Sequence, residues 1–206
     1  MFVLTVDQIG SRTTTDLVPG VSADLRTRFG ADLVLGPDRT AGDEFEVVAE
    51  RAPAALRVAL HLLRLRTWSV GLGVGPVDVP LPTTAREGTG DAFVLAREAV
   101  DRAKRRPHRF ALSAPGDGAL GAGRLPGGDV EALVELLLVV RDRRSAEGWE
   151  VADLLEVEGS QVAVAARLGV TPQAVSLRAR AAGLREEQDA VAPLTALLAA
   201  LDGAAA

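Results

Sequence analysis

Asp7 follows a short apolar, β-branched run at 2–6, and Asp43 and Glu44 close a turn-rich stretch, 36–42, between two further apolar runs at 32–35 and 44–49. In a β-α-β-β chain the first strand and the central hairpin lie side by side, so the spacing predicts that Asp7 and Asp43 meet at one edge of a sheet, with Glu44 beside them. Carboxylates gathered in this way suit a hard cation. Mg²⁺ takes oxygen ligands, keeps several waters and bridges to phosphate oxygens. Asp7, Asp43 and Glu44 are therefore the candidate metal ligands, and a nucleotide phosphate is the natural further partner. The loop after Asp7 offers backbone N–H groups through Gly10 and Ser11 and a cation in Arg12, next to a helix start whose dipole favours an anion. Gly42 stands on the hairpin side. The plainer alternative makes Asp7 a strand-end residue, Gly42 and Asp43 turn residues, and Glu44 a solvated side chain.

A second constellation lies near the C-terminus. Gln161, Ala165, Gly169 and Val175 fall at relative positions 1, 5, 9 and 15 of a helix-turn-helix. Each residue type there has a physical reason. Ala165 is small where the second helix crosses, Gly169 accommodates the turn, and Leu168, Val170 and Val175 close a miniature core. Thr171 is placed to cap the second helix and Pro172 to occupy its first position. The outward side of that helix carries Gln173, Ser176 and Arg180, with Arg178 and Arg185 nearby, side chains suited to base edges and phosphates. Residues 148–188 hold six acids against four arginines, a net of −2 that is poor for backbone-driven affinity. Yet 171–185 contains three arginines and no acid, so the charge is sorted in the direction double-stranded DNA needs. The alternative is a trihelical module that contacts protein.

These residues need elements to hold them. Strands are predicted at 2–6, 32–35, 44–49, 67–74 and 109–113, and helices at 16–29, 53–65 and 91–105. The order β-α-β-β-α-β, then α-β, is that of the ferredoxin-like split motif with one helix and one strand added. In the fourth strand Gly71, Gly73 and Gly75 leave space for something to approach the backbone. Arg102, Lys104, Arg105, Arg106 and Arg109 read as a solvated helix end, with phosphate contact as the alternative. Residues 114–128 contain six Gly and two Pro and mark a boundary. Beyond it, helices are predicted at 130–143, 150–157, 160–168, 172–182 and 190–201. The expected organisation is an α+β chain: a palm-type domain at 1–115, a Gly/Pro-rich linker at 116–128, a connecting helix at 129–147 and an all-α helix-turn-helix domain at 148–206.

Composition narrows the function classes. The 206 residues are 48% hydrophobic but only 3% aromatic, with no Tyr, which leaves little for stacking single-stranded bases. With no Cys and only two His, any metal must rest on carboxylates. No run of about 18 apolar residues and no basic leader occurs, so a cytoplasmic protein with no membrane partner is expected.

Asp7, Ser11 and Arg12, then Gly42, Asp43, Glu44 and Phe45, then Gly71, Gly73 and Gly75, and finally Gly90, Ala96, Arg97, Glu98 and Ala99 resemble the SatD family. That family is similar to the palm of class III nucleotidyl cyclases and GGDEF diguanylate cyclases, and its members commonly carry a C-terminal helix-turn-helix. The resemblance implies that Asp7 and Asp43 hold the metal, with Gly10, Ser11, Arg12, Gly42 and Arg97 at the nucleotide; were the chain an enzyme, Asp7, Asp43 and Arg97 would be its catalytic residues. Three positions depart from the cyclase patterns: Val94 stands where an Asn would fall, the Arg expected four residues later is displaced to Arg97, and Ala41 replaces the first Gly of the GGDEF signature. The leading expectation is a DNA-binding transcriptional regulator whose N-terminal domain senses a purine nucleotide with Mg²⁺. The alternatives are a cyclase-like or phosphotransfer enzyme and a protein-interaction module. A homodimer is expected, with 130–143 and 190–201 as candidate contacts, since helix-turn-helix proteins usually read paired half-sites.

Overall fold

The computed structural model describes residues 1–116 and 126–203; the central part of the Gly/Pro-rich linker, 117–125, lies outside the described residues. The fold is α+β, a five-stranded mixed sheet with eight helices among the described residues. The chain runs β1 (Phe2–Gln8), α1 (Val18–Phe29), β2 (Leu33–Ala41), β3 (Glu44–Ala49), α2 (Ala52–Arg64), β4 (Trp68–Val74), α3 (Asp91–Ala103), β5 (Phe110–Ser113), α4 (Gly127–Asp142), α5 (Ala146–Glu158), α6 (Gln161–Leu168), α7 (Pro172–Ala181) and α8 (Leu184–Gly203). It divides into two compact units, one of residues 1–135 with 194–206 and one of 136–193, so the division falls within α4 and α8.

In the first unit the strand order is β2-β3-β1-β4-β5. The pairs β2–β3, β3–β1 and β1–β4 are antiparallel, and β4–β5 is parallel across α3. Side chains alternate between the two faces of a strand, and here the alternation is read on both. Phe2, Leu4, Val6, Phe45, Val47, Val70, Leu72 and Leu112 are buried on the face that α1 and α2 cover. Phe45 meets Trp68 edge to face, ring centroids 5.4 Å apart. On the opposite face β4 has no side chains at Gly71 and Gly73. A Cβ at Gly71 would lie 2.1 Å from the Val100 nitrogen, and one at Gly73 would lie 2.1 Å from the Ala92 oxygen. What approaches the β4 backbone is therefore α3, seated by Ala92, Ala96, Ala99 and Ala103, all buried.

Three expected elements differ in extent or setting. β2 continues through 36–41, where Gly36 and Pro37 suggested a loop, because its register shifts absorb the irregular residues along an edge strand. The C-terminal helix starts at Leu184, not 190, and passes through Pro193. The basic cluster at the end of α3 is solvated only in part: Arg105 is exposed, but the half-buried Arg102 and Arg106 are ion-paired. Arg102 donates to the Leu112 carbonyl at 2.6 Å and to Glu131 at 2.8 Å, while Arg106 bridges Glu131 at 2.5 Å and Glu135 at 3.0 Å. Glu131, 5% exposed, also accepts the Leu112 backbone N–H, so it must be met by cations inside the protein.

In the second unit, Ser145, Ser160 and Thr171 each cap a helix through a side-chain oxygen that accepts a backbone N–H at 3.2 Å, from Gly148, Ala163 and Ala174 respectively. Gly159 and Gly169, at φ +70° and +65°, end α5 and α6 in the left-handed region. Between these stops α5, α6 and α7 bury Val151, Val164, Ala165, Val175 and Ala179 together, with Leu154, Leu155, Leu168, Val170 and Leu184 around them. Arg144, buried, donates to the Ala182 carbonyl at 2.6 Å and pairs with Glu187, which also pairs with Arg141. Both guanidinium groups lie over the Trp149 ring, at 4.7 Å (Arg144) and 4.9 Å (Arg141) from its centroid.

Candidate functional sites

The register of β1 against β3 places Asp7 directly opposite Glu44 and Thr5 opposite Glu46, and across β4 Asp7 faces Ser69. Directly paired residues share a face, so Thr5, Asp7, Glu44, Glu46 and Ser69 lie on the α3 side of the sheet. Helix α3 meets this row with two cations, Arg97 from its middle and Lys104 from just past its end. Lys104 Nζ is 3.0 Å from Asp7 Oδ2 and 3.4 Å from Asp101 Oδ1. Arg97 donates through Nε to Glu46 Oε1 at 3.0 Å and through its second nitrogen to Oε2 at 3.4 Å. Burial draws the Lys104 ammonium toward neutrality, but the hydrogen bond and charge of Asp7 outweigh it and its pKa lies above the ordinary lysine value. Glu46 has no exposed surface, and that burial pushes its carboxyl up; Arg97 and the Thr5 hydroxyl, 3.3 Å away, pull the other way, and the neighbouring Glu44 charge adds to the rise.

The turn residues come to the same end of the sheet. Asp43 sits in the two-residue turn between β2 and β3, where its carbonyl accepts the Gln8 N–H at 3.3 Å. Arg39 donates to the Gly42 carbonyl and pairs with Asp16 at 2.6 Å, tying the hairpin to the start of α1. The loop 9–15 is shaped by Gln8, whose buried amide donates to Thr14 Oγ1 and the Thr15 carbonyl and accepts from Leu17 N. Gly10, at φ +71°, turns its carbonyl to Thr13 and Thr14, while Arg12 is exposed and Ser11 half-buried. The predicted residues Asp7, Gly10, Ser11, Arg12, Gly42, Asp43 and Glu44 thus belong to adjoining segments. Among the described residues, however, no three His, Asp or Glu side chains are arranged to hold a metal ion. Asp7 is engaged by Lys104, and Arg97 is engaged by Glu46 rather than standing free.

The sequence did not mark Arg39, Gln8 or Glu46 for this site, and it offered Lys104 only as an alternative phosphate contact, not as the partner of Asp7. Glu46 carried a usable signal: its neighbours Phe45, Val47 and Val48 are apolar, so a carboxylate between them had to be buried with a partner. Lys104 carried none for that pairing, because its partner is ninety-seven residues away in the chain.

The second candidate site is the outer side of α7. Gln173, Leu177 and Arg180 are exposed, Ser176 is half-buried, and Val175 and Ala179 point into the core. Thr171 is exposed, its hydroxyl bonded to Ala174 N. Arg178 leans toward Glu150, 3.7 Å away. Among the described residues, Arg180 makes no ion pair, and Arg167 at the end of α6 is likewise exposed. No helix among the described residues is long and apolar enough to cross a membrane.

Comparison with known proteins finds no matching family model, no matching curated protein and no matching solved structure.

Proposed function

We propose that this chain is a DNA-binding transcriptional regulator of SatD-like organisation, with α6 and α7 as a helix-turn-helix and the first unit as a nucleotide-sensing palm. The observation that carries the reading is the sorting of α7: Val175 and Ala179 inward, Gln173, Leu177 and Arg180 outward, and no acid between Thr171 and Arg185. A helix so built presents a bidentate amide and a guanidinium to the major groove. For the first unit, the support is the order β2-β3-β1-β4, which is that of the ferredoxin-like motif, and the direct pairing of Asp7 with Glu44 beneath the loop 9–15. Mg²⁺ needs only one or two carboxylates when phosphates supply the remaining ligands, so Asp7 and Glu44 fit it once Lys104 swings aside. When bound, the ion would neutralise the phosphates of a purine nucleotide; Arg12 and the backbone of Gly10 and Ser11 would orient them. Two copies would read paired half-sites.

Fluorescence anisotropy with mixed duplex DNA tests the central claim. Arg180→Ala is expected to cost about 1–3 kcal/mol and to relax preference at one base position, whereas Arg167→Ala weakens all sequences alike. Equal small effects, or affinity unchanged between about 50 and 200 mM salt, would refute DNA binding. A rise in Tm with millimolar purine triphosphate and Mg²⁺, lost in Asp7→Asn, tests the sensing role. Sedimentation at micromolar concentration tests the dimer.

A further inference from the structure

Leu177 is 65% exposed at the middle of a ten-residue helix whose other long apolar side chain, Val175, is fully buried. It lies four residues after Gln173 and three before Arg180, which places all three on one helical face. That face is neither a continuous apolar patch, as a protein-docking helix presents, nor a fully polar one. Its one branched aliphatic group is Leu177, flanked by the small side chains of Ala174 and Ala181 and set between an amide and a guanidinium; the segment 171–185 carries three arginines and no acid, Arg178 and Arg185 lying 3.7 Å from Glu150 and Asp189 while Arg180 makes no ion pair among the described residues. An anionic partner that also offers one isolated apolar group matches this arrangement. The major groove of DNA is such a surface: its edges carry donors and acceptors, and the C5 methyl of thymine is its apolar feature.

Resting on the reading of α7 as the DNA-facing helix, we infer that Leu177 is a specificity-determining residue that reads thymine through its C5 methyl, while Gln173 and Arg180 bond to the flanking base edges. Contact of the exposed isobutyl group with the methyl removes apolar surface from water on both partners. Discrimination then falls on thymine against the other three bases at one position in each half-site.

The test uses the full chain and duplexes selected by it from a pool with a randomised 20-base-pair core. Each thymine of a selected duplex is replaced in turn by deoxyuridine, which pairs identically and lacks only the methyl. At one position per half-site the replacement is expected to weaken wild-type binding about fourfold, the effect of one buried methyl group. Leu177→Ala, a change at an exposed position that leaves the core intact, is expected to bind the thymine duplex more weakly by a similar or larger factor and to be indifferent to deoxyuridine there. Wild-type binding that tolerates deoxyuridine at every position overturns the inference while leaving DNA binding standing. So does an equal deoxyuridine loss in Leu177→Ala, which would give the methyl to another residue. Failure to select any duplex at about 50 mM salt overturns DNA binding itself, and Leu177 with it, in favour of a protein partner.

Discussion

Replacing Gly73 by Ala adds a single methyl group where two backbones touch. The new Cβ would lie 2.1 Å from the Ala92 oxygen, 2.4 Å from the Ala96 nitrogen and 2.9 Å from the Ala96 Cα. All three are main-chain atoms of α3, so no change of rotamer relieves the overlap. The helix must lift by roughly 1 Å, and a gap of that size already forfeits a quarter to a half of the dispersion attraction across it. Ala92, Phe93, Ala96, Ala99, Val100 and Ala103 all bury against the sheet and share this loss. We expect a destabilisation of about 3 kcal/mol, the upper range for overpacking, and a fall in Tm of about 6–12 °C for a chain of this size. Trp68, buried in β4, reports the transition directly when read in a Trp149→Phe background. Gly36→Ala is the control: nothing lies within 4 Å of its Cβ, and its effect should stay within about 0.5 kcal/mol. A Gly73→Ala protein as stable as the control would refute the claim that the β4 glycines exist to seat α3.

Three further outcomes follow from charges. Glu187→Ala leaves the buried Arg144 without its carboxylate, though still bonded to the Ala182 carbonyl, and should destabilise the second unit by about 2–4 kcal/mol, read from the Trp149 emission in urea. Burial raises the Glu46 carboxyl above its ordinary value of 4.5, so its favourable contribution is complete below that value and is lost as pH rises through the folded-state pKa; Glu46→Gln should gain in Tm relative to wild type as pH rises above 4.5, and a constant difference would refute this. Lys104→Met frees the Asp7 carboxylate and should tighten Mn²⁺ binding about tenfold by electron spin resonance; unchanged affinity would show that the ion pair does not compete with metal.

The elements were legible in the sequence wherever a period was unbroken. Phe2 to Val6, Glu44 to Ala49 and Thr67 to Val74 announce strands, and Gly169, Thr171 and Pro172 announce where α6 stops and α7 begins, because local chemistry decides those points. β2 was only half legible, since Gly36 and Pro37 are turn residues by propensity and only pairing with β3 makes them strand. The candidate site was legible as a set of segments but not as a set of contacts. That Asp7 meets the hairpin follows from strand order, although the residue directly opposite it is Glu44 and not the expected Asp43, which lies in the turn; that Lys104 reaches Asp7 and Arg97 reaches Glu46 depends on how far α3 slides along β4, which Gly71 and Gly73 fix by steric contact. Periodicity assigns a face to a helix but not its depth along a neighbouring strand.

Strand β1 has a paired neighbour on both sides along its length, with partners on β3 from Phe2 to Asp7 and on β4 from Phe2 to Gln8. Its amides, like those of the other internal strands β3 and β4, are expected to exchange only when the sheet opens, so Asp7 sits at the end of a slow-exchanging segment. Helix α7 is held by a core whose five fully buried side chains are valines and alanines and whose leucines are only half-buried around them, and a core that small opens at a lower free energy. Deuterium labelling would therefore separate the chain into two kinetic classes: the carboxylate row would be a fixed reference, while the helix carrying Gln173, Leu177 and Arg180 would unfold and reform many times within one opening of the sheet.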